Sequence, residues 1–296
     1  HKLQSACTTL LDNLQFAQLK ATLSPADHVE TLSEQQPNAG LWYTAAPGSQ
    51  LHELPNNAFK TSARVRLHLH PMGSQPSPAS CHHTSCCERT NNQLTEDPAH
   101  PIYCQGLHGD SLRYRHDPVV KAYLRWAMLA GFMTEWEPPS LRPGCDDRPD
   151  LMLTGPSGVI LIDVAVVSPR APSIVRRAQI PLGAATHAEG NKRRMYDEMA
   201  EQMGEGTTFI PAVWETTGAP GKGALEIIKI IAQAAADNDE CRYSYDEVYK
   251  GILTEVAVAI QKGNYFLLRK GYAMARRSAQ LRGVDVRSQR GAGSRR

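Results

Sequence analysis

The 296-residue chain is 41% hydrophobic and 21% charged, a composition that excludes wholesale disorder and fits about two folded units. No run approaches the ~18 apolar residues of a membrane span, and a start at His1 without a charged-then-apolar leader reads as a fragment or processed product rather than a secreted precursor. The net charge of +2 is unevenly spread: Arg269–Arg296 holds nine Lys/Arg against Asp285, a local +8 that leaves −6 elsewhere, so the tail predicts a polyanionic partner unless it is only a solvated end.

In chain order, leucines 3, 10, 11, 14 and 19 predict a helix over 2–22, and Ser24-Pro25 caps a second over 25–34. Asn57 is a candidate cap for a helix running to about Leu69, and Pro71–Pro78 reads as a linker. A Cys/His segment spans 81–108, followed by a helix from Pro118 to Ala130. The period then changes. Asp150–Thr154 and the β-branched run Val159–Ser168 predict two strands joined by a tight turn at 155–158. A long helix from about Pro181 to Met203 precedes a third strand, Thr207–Glu215, where Pro211 favours an edge or a bulge. Helices over 221–237, 244–262 and 264–280 complete the reading.

Seven cysteines and no leader argue against a disulfide framework. Four of them, Cys81, Cys86, Cys87 and Cys104, fall within 24 residues, among histidines 82, 83, 100, 108 and 116. A tetrahedral Zn²⁺ needs four thiolate or imidazole ligands. Cys81-x4-Cys86 and His100-x3-Cys104 are the natural pairs, with Cys87 as an alternative to Cys86 and His82, His83 and His108 as rival imidazoles. The bland alternative is a loop of free thiols.

The second cluster is Arg148-Pro149-Asp150 with Asp163 on the following strand. A hairpin turning at 155–158 folds these acids toward each other. An acid inside an Ile/Val strand is costly unless it is paired or binds a cation, and two converging carboxylates suit Mg²⁺. The plain alternative pairs Asp163 with a buried arginine or a helix end. On the next helix, Lys192 and Tyr196 share a face at i,i+4 beside Arg193 and Arg194. A lysine there can orient water or neutralise phosphate charge; alone, it reads as a solvated basic face.

Together these motifs resemble the C-terminal region of non-LTR retrotransposon polyproteins that carry a restriction-like endonuclease. Cys81…Cys86…His100-x3-Cys104, then Leu107-His108-Gly109 and Arg115-His116-Asp117, resembles their zinc knuckle and the segment after it. Asp150…Asp163 with Lys192…Tyr196 looks like the PD-(D/E)XK site, and Phe209-x-Pro211…Glu215-x-x-Gly218 like its downstream strand. The resemblance implies a Mg²⁺-dependent DNA endonuclease that nicks its target so that the exposed 3′ end primes reverse transcription. Asp150 and Asp163 would be metal ligands, Lys192 the catalytic lysine and Tyr196 its support. It also implies structural Zn²⁺, DNA and element RNA as partners, the polymerase domain of the parent polyprotein as neighbour, and the nucleus as location. Ala165 stands where many such nucleases keep the lysine, which fits a lysine displaced to the helix. The first cysteine pair is looser than the usual knuckle, and no aromatic-x-Asp-Asp polymerase signature occurs; Asp146-Asp147 sits in a loop context.

The expected architecture is α/β, a restriction-endonuclease-like core with a central mixed sheet flanked by helices. It divides as an N-terminal helical region (1–70), a zinc-knuckle-like segment (71–117), the nuclease core (118–265) and a basic tail (266–296). The competing functional reading is a catalytically decayed nucleic-acid-binding module that keeps its structural zinc.

Overall fold

The run GVILIDVAVV folds as the longest strand, β3 (Gly158–Val167), because its β-branched side chains suit a pleated, covered surface. A computed structural model describes residues 2–46, 51–73, 80–83, 94–139, 148–156 and 158–292. The sheet has four strands in the order β1 (Met133–Trp136), β2 (Leu151–Gly155), β3, β4 (Thr207–Glu215). The first three are antiparallel, and β4 runs parallel to β3 with Asp163 opposite Pro211. The parallel pair requires a crossover helix, supplied by α7 (Gly183–Gln202). As its proline suggests, β4 is an edge strand. The unexpected strand is β1: MTEW is short and mostly exposed, so it shows no hydrophobic alternation.

Ahead of the sheet come α1 (Lys2–Thr22), α2 (Pro25–Glu34), α3 (Leu41–Thr44), α4 (Asn56–Arg66), two short 3₁₀ turns, α5 (His108–Ser111), a π-helical turn (Leu112–His116) and α6 (Asp117–Leu129). Ser24 caps α2 as expected, its hydroxyl accepting from the Asp27 amide at 3.1 Å. The start of α4 differs: Pro55 precedes it, no side chain caps it, and it stops at Arg66, two residues before His68 takes a left-handed φ of 52°. After β4 come α8 (Lys222–Asp237) and α9 (Tyr245–Ala292).

Side-chain alternation along β3 sends Ile162 and Val164 into the main core, with Tyr123 of α6, Trp214 of β4, Ile227 of α8 and Val256 of α9. The opposite face carries Leu161, which packs with Phe209 and with Tyr196 and Met199 of α7. Asp163 therefore lies on the α7 face. Two buried glutamates tie elements together: Glu215 of β4 accepts from the Ala185 amide of α7 at 3.0 Å, and Glu189 of α7 from the Gly223 amide of α8 at 2.9 Å. Each satisfies an otherwise unpaired donor of a helix's first turn.

The two helices expected around Gly263 form the single 48-residue helix α9. Gly263 does not break it. A Cβ there would sit 2.6 Å from the Arg115 Cβ and 2.7 Å from the Tyr114 carbonyl oxygen, so the glycine permits close approach to the π-helical turn. The helix crosses the expected boundary at 265/266, with Leu267, Leu268, Tyr272 and Ala275 buried. The N-terminal helices are tied on through Arg170. Its guanidinium donates to Asp27 and Glu30 of α2 at 2.5 and 2.7 Å and to Asp97 at 3.1 Å. Among the described residues, no helix is long and apolar enough to cross a membrane.

Candidate active site

The acid at the start of β2 and the acid inside β3 meet as the hairpin predicts. Asp150 Oδ2 accepts from the Val164 amide at 2.6 Å, and the Asp150 and Asp163 carboxyl groups are in hydrogen-bonding contact. From α7, the Lys192 ammonium forms an ion pair with Asp163 Oδ2. Ala165, two residues on and on the same face, lines the same cleft. The ammonium thus reaches Asp163 from the helix and not from the strand.

Burial sets the charges. Asp163 is 5% exposed. Burial, reinforced by the neighbouring Asp150 charge, pushes its carboxyl up to about 6 despite Lys192. Burial also acts to raise Asp150, but His116, the Val164 amide and Lys192 outweigh it and hold that carboxyl below its usual range. Two neighbouring carboxylates thus differ in proton affinity, one ionised firmly and one reluctantly.

Tyr196 acts one step away. It is buried, its hydroxyl donates to the Arg148 carbonyl at 2.9 Å, and its ring lies 4.9 Å from that of Phe209. That bond anchors the Arg148-Pro149-Asp150 corner to α7.

His116 is the residue to which sequence reasoning assigned no chemistry. Its Nε2 lies 3.1 Å from Asp150 Oδ2 and its Nδ1 3.2 Å from Asp117 Oδ1. Burial acts to lower its pKa, and the two carboxylates win and raise it. Its neighbour Arg115 is buried, and burial lowers its pKa to about 10. Its guanidinium donates to the Ile102 carbonyl, Asn264 Oδ1 and Ser111 Oγ. The signal for both residues was the Arg115-His116-Asp117 segment of the resemblance, which gave neither a role.

The Cys/His segment forms a second centre. Cys81, His100 and Cys104 bring their ligand atoms within 4.8 Å of one another. The two sulfurs are 3.7 Å apart, far beyond a disulfide's ~2.05 Å. Two thiolates each ~2.3 Å from a tetrahedral Zn²⁺ are separated by about 3.8 Å, so this spacing fits zinc. The bond to Cys104, with help from His100 and the His83 amide against the opposing effect of burial, holds the Cys81 thiol down at about 3. A thiolate is the form a metal requires. Cys86, Cys87 and Asp146-Asp147 lie outside the described residues. His82, His83 and His108 are not part of the cluster.

One cleft of ≈ 500 Å³ is lined by Asp150, Asp163 and Lys192 together with residues of Pro101–Leu107, Cys104 of the cluster included. No protein-family model matches the chain, and no curated protein matches it.

Proposed function

We propose that this chain is a metal-dependent endonuclease of PD-(D/E)XK type, which hydrolyses a phosphodiester of DNA. The observation that carries the reading is the convergence of Asp150, Asp163 and Lys192 where the start of β2 meets the middle of β3, as the motif spacing requires. The mixed sheet flanked by helices is the arrangement the restriction-like resemblance implies, and it supports the same reading.

Asp150 and Asp163 supply the hard oxygen donors that Mg²⁺ prefers. Bound there, Mg²⁺ would polarise phosphate and water. Without it, Lys192 neutralises Asp163 and His116 neutralises Asp150, so the paired acids stay together at tolerable cost. Asp150 and Asp163 would hold that ion, and Lys192, placed beside them, would orient the attacking water or neutralise the phosphate oxygens where charge grows in the transition state. Asp150 keeps its position through the Val164 amide, and Tyr196 holds the corner that carries it.

The cluster of Cys81, His100 and Cys104 would hold structural Zn²⁺, with Cys86 or Cys87 as fourth ligand. DNA is the proposed partner, and the basic C-terminal end adds phosphate contacts. A place in a retrotransposon polyprotein, beside its polymerase domain and element RNA and working in the nucleus, follows from the resemblance.

Supercoiled plasmid and Mg²⁺ test the reading. The full chain should convert it to the open circle, and Lys192→Ala should lose that activity by orders of magnitude. A chain that shifts DNA in gels but never nicks it is the non-catalytic binding module instead.

A further inference from the structure

Pro101–Ser111 runs from the Cys81/His100/Cys104 cluster to the start of the π-helical turn. Its inner side forms a wall of the cleft that holds Asp150, Asp163 and Lys192. It is anchored at both ends: His100 and Cys104 sit in the cluster, and Arg115 bonds back to the Ile102 carbonyl and Ser111. From behind, α9 supports it, with Leu267 packed beside Cys104 and Leu107, and Gly271 placed so that a Cβ would meet Pro101 at 2.6 Å.

The surface this wall offers is specific in character. Gln105 and His108 are exposed on the cleft, and Ser111 lines it half-buried. All three can donate hydrogen bonds. The one acid of the stretch, Asp110, is held by Lys270 at 2.6 Å and does not line the cleft. Ile102 and Leu107 are buried beneath this surface, and its apolar part is offered by Leu112, exposed on the cleft just past the stretch. Hydrogen-bond donors without a carboxylate, in the same cleft as Lys192, suit the phosphate oxygens and sugar of a nucleic-acid backbone.

We propose that Gln105–Ser111 is the substrate-gripping wall of this cleft, contacting the nucleic-acid strand beside the phosphate presented to Asp150, Asp163 and Lys192. It rests on the hydrolytic reading for the identity of the substrate and adds a role for the Cys/His cluster. That cluster shapes the catalytic cleft itself and is not a recognition module remote from it. Phosphate and sugar contacts of this kind set register and orientation and carry no sequence information directly.

The test places a benzophenone photocrosslinker at Gln105, and separately at His108, in the full chain. A third copy carries it at Lys250, which is exposed on α9 and outside the cleft. Irradiation is done with labelled duplex DNA in Ca²⁺, chosen to support binding without cutting. Positions 105 and 108 should crosslink at least about tenfold more than position 250, and unlabelled DNA should compete. Removing zinc with a chelator should abolish the crosslinks at 105 and 108. Yields no higher than at 250 overturn the wall, even in a chain that nicks plasmid. Crosslinks that survive complete zinc removal overturn the link between cluster and wall. Specific crosslinks in a chain that never nicks leave the wall standing and remove the hydrolytic reading.

Discussion

The Val164 amide donates to Asp150 Oδ2 at 2.6 Å, so the residue after the acid of β3 grips the acid that opens β2. The two carboxylates are therefore registered to each other by the main chain and not only by side-chain contacts. A hydrogen bond to a charged group contributes roughly 1.5–3 kcal/mol. Asp150→Asn keeps an acceptor for that amide, whereas Asp150→Ala removes it. Asn at 150 should melt within a few degrees of the parent and lose Mg²⁺-dependent nicking by at least about a hundredfold. Ala should also cost roughly 2 kcal/mol in denaturant unfolding. Equal stability of the two variants would mean that the bond does not hold the site.

The raised pKa of Asp163 sets a pH dependence. Its carboxyl titrates near 6 in the folded, metal-free chain and near 3.9 when unfolded. Between those values the folded state keeps a proton that the unfolded chain has released. Stability from this group is therefore full below about pH 4 and falls as pH rises through 6, by at most about 3 kcal/mol. Mg²⁺ competes with that proton, so it should raise the melting temperature more at pH 7.5 than at pH 5. In Asp163→Asn the difference between the two pH values should shrink. A larger Mg²⁺ effect at pH 5 would contradict the assignment.

The cysteine cluster makes a compositional prediction. Purified protein should carry about one zinc per chain by elemental analysis, and Cys104→Ser should lose it. Hydrogen exchange over 94–108 should then rise, because Leu107 and Ile102 pack only while the segment stays closed. Zinc-free protein with slow exchange in that stretch would show that packing suffices without metal.

Gly263 sits in the middle of α9, where alanine would ordinarily gain about 1 kcal/mol of helix propensity. Here the added Cβ meets the Tyr114 carbonyl at 2.7 Å and the Arg115 Cβ at 2.6 Å. Overpacking of this kind costs about 1–3 kcal/mol. Gly263→Ala should lower the denaturant midpoint and disturb the Arg115 bonds to Ile102 and Asn264. A stabilised variant would mean that the π-helical turn yields freely.

Local patterning was enough for the strands β2, β3 and β4 and the helices α2, α6, α7 and α8, because each carries its own periodicity and stop residues. The pairing of Asp150 with Asp163 was legible for the same reason: a hairpin's register follows from its turn. So was the approach of Cys81 to His100 and Cys104, which rests on ligand chemistry and short spacing. What sequence could not supply were relations between distant segments. β1 has no alternation of its own and exists through pairing with β2. Gly263 looked like a break because its reason for being glycine, Arg115, lies 148 positions away. The Cys/His cluster and the paired acids read as separate modules along the chain; the packing of α9 against Pro101–Leu107 and the His116–Asp150 contact bring Cys104 and the acids to one cleft. His116 likewise carries no local mark of its partner. Its carboxylate neighbour Asp150 comes from a strand 34 residues on, and a bond across the fold depends on how helices and sheet pack, a long-range outcome that local periodicity does not encode.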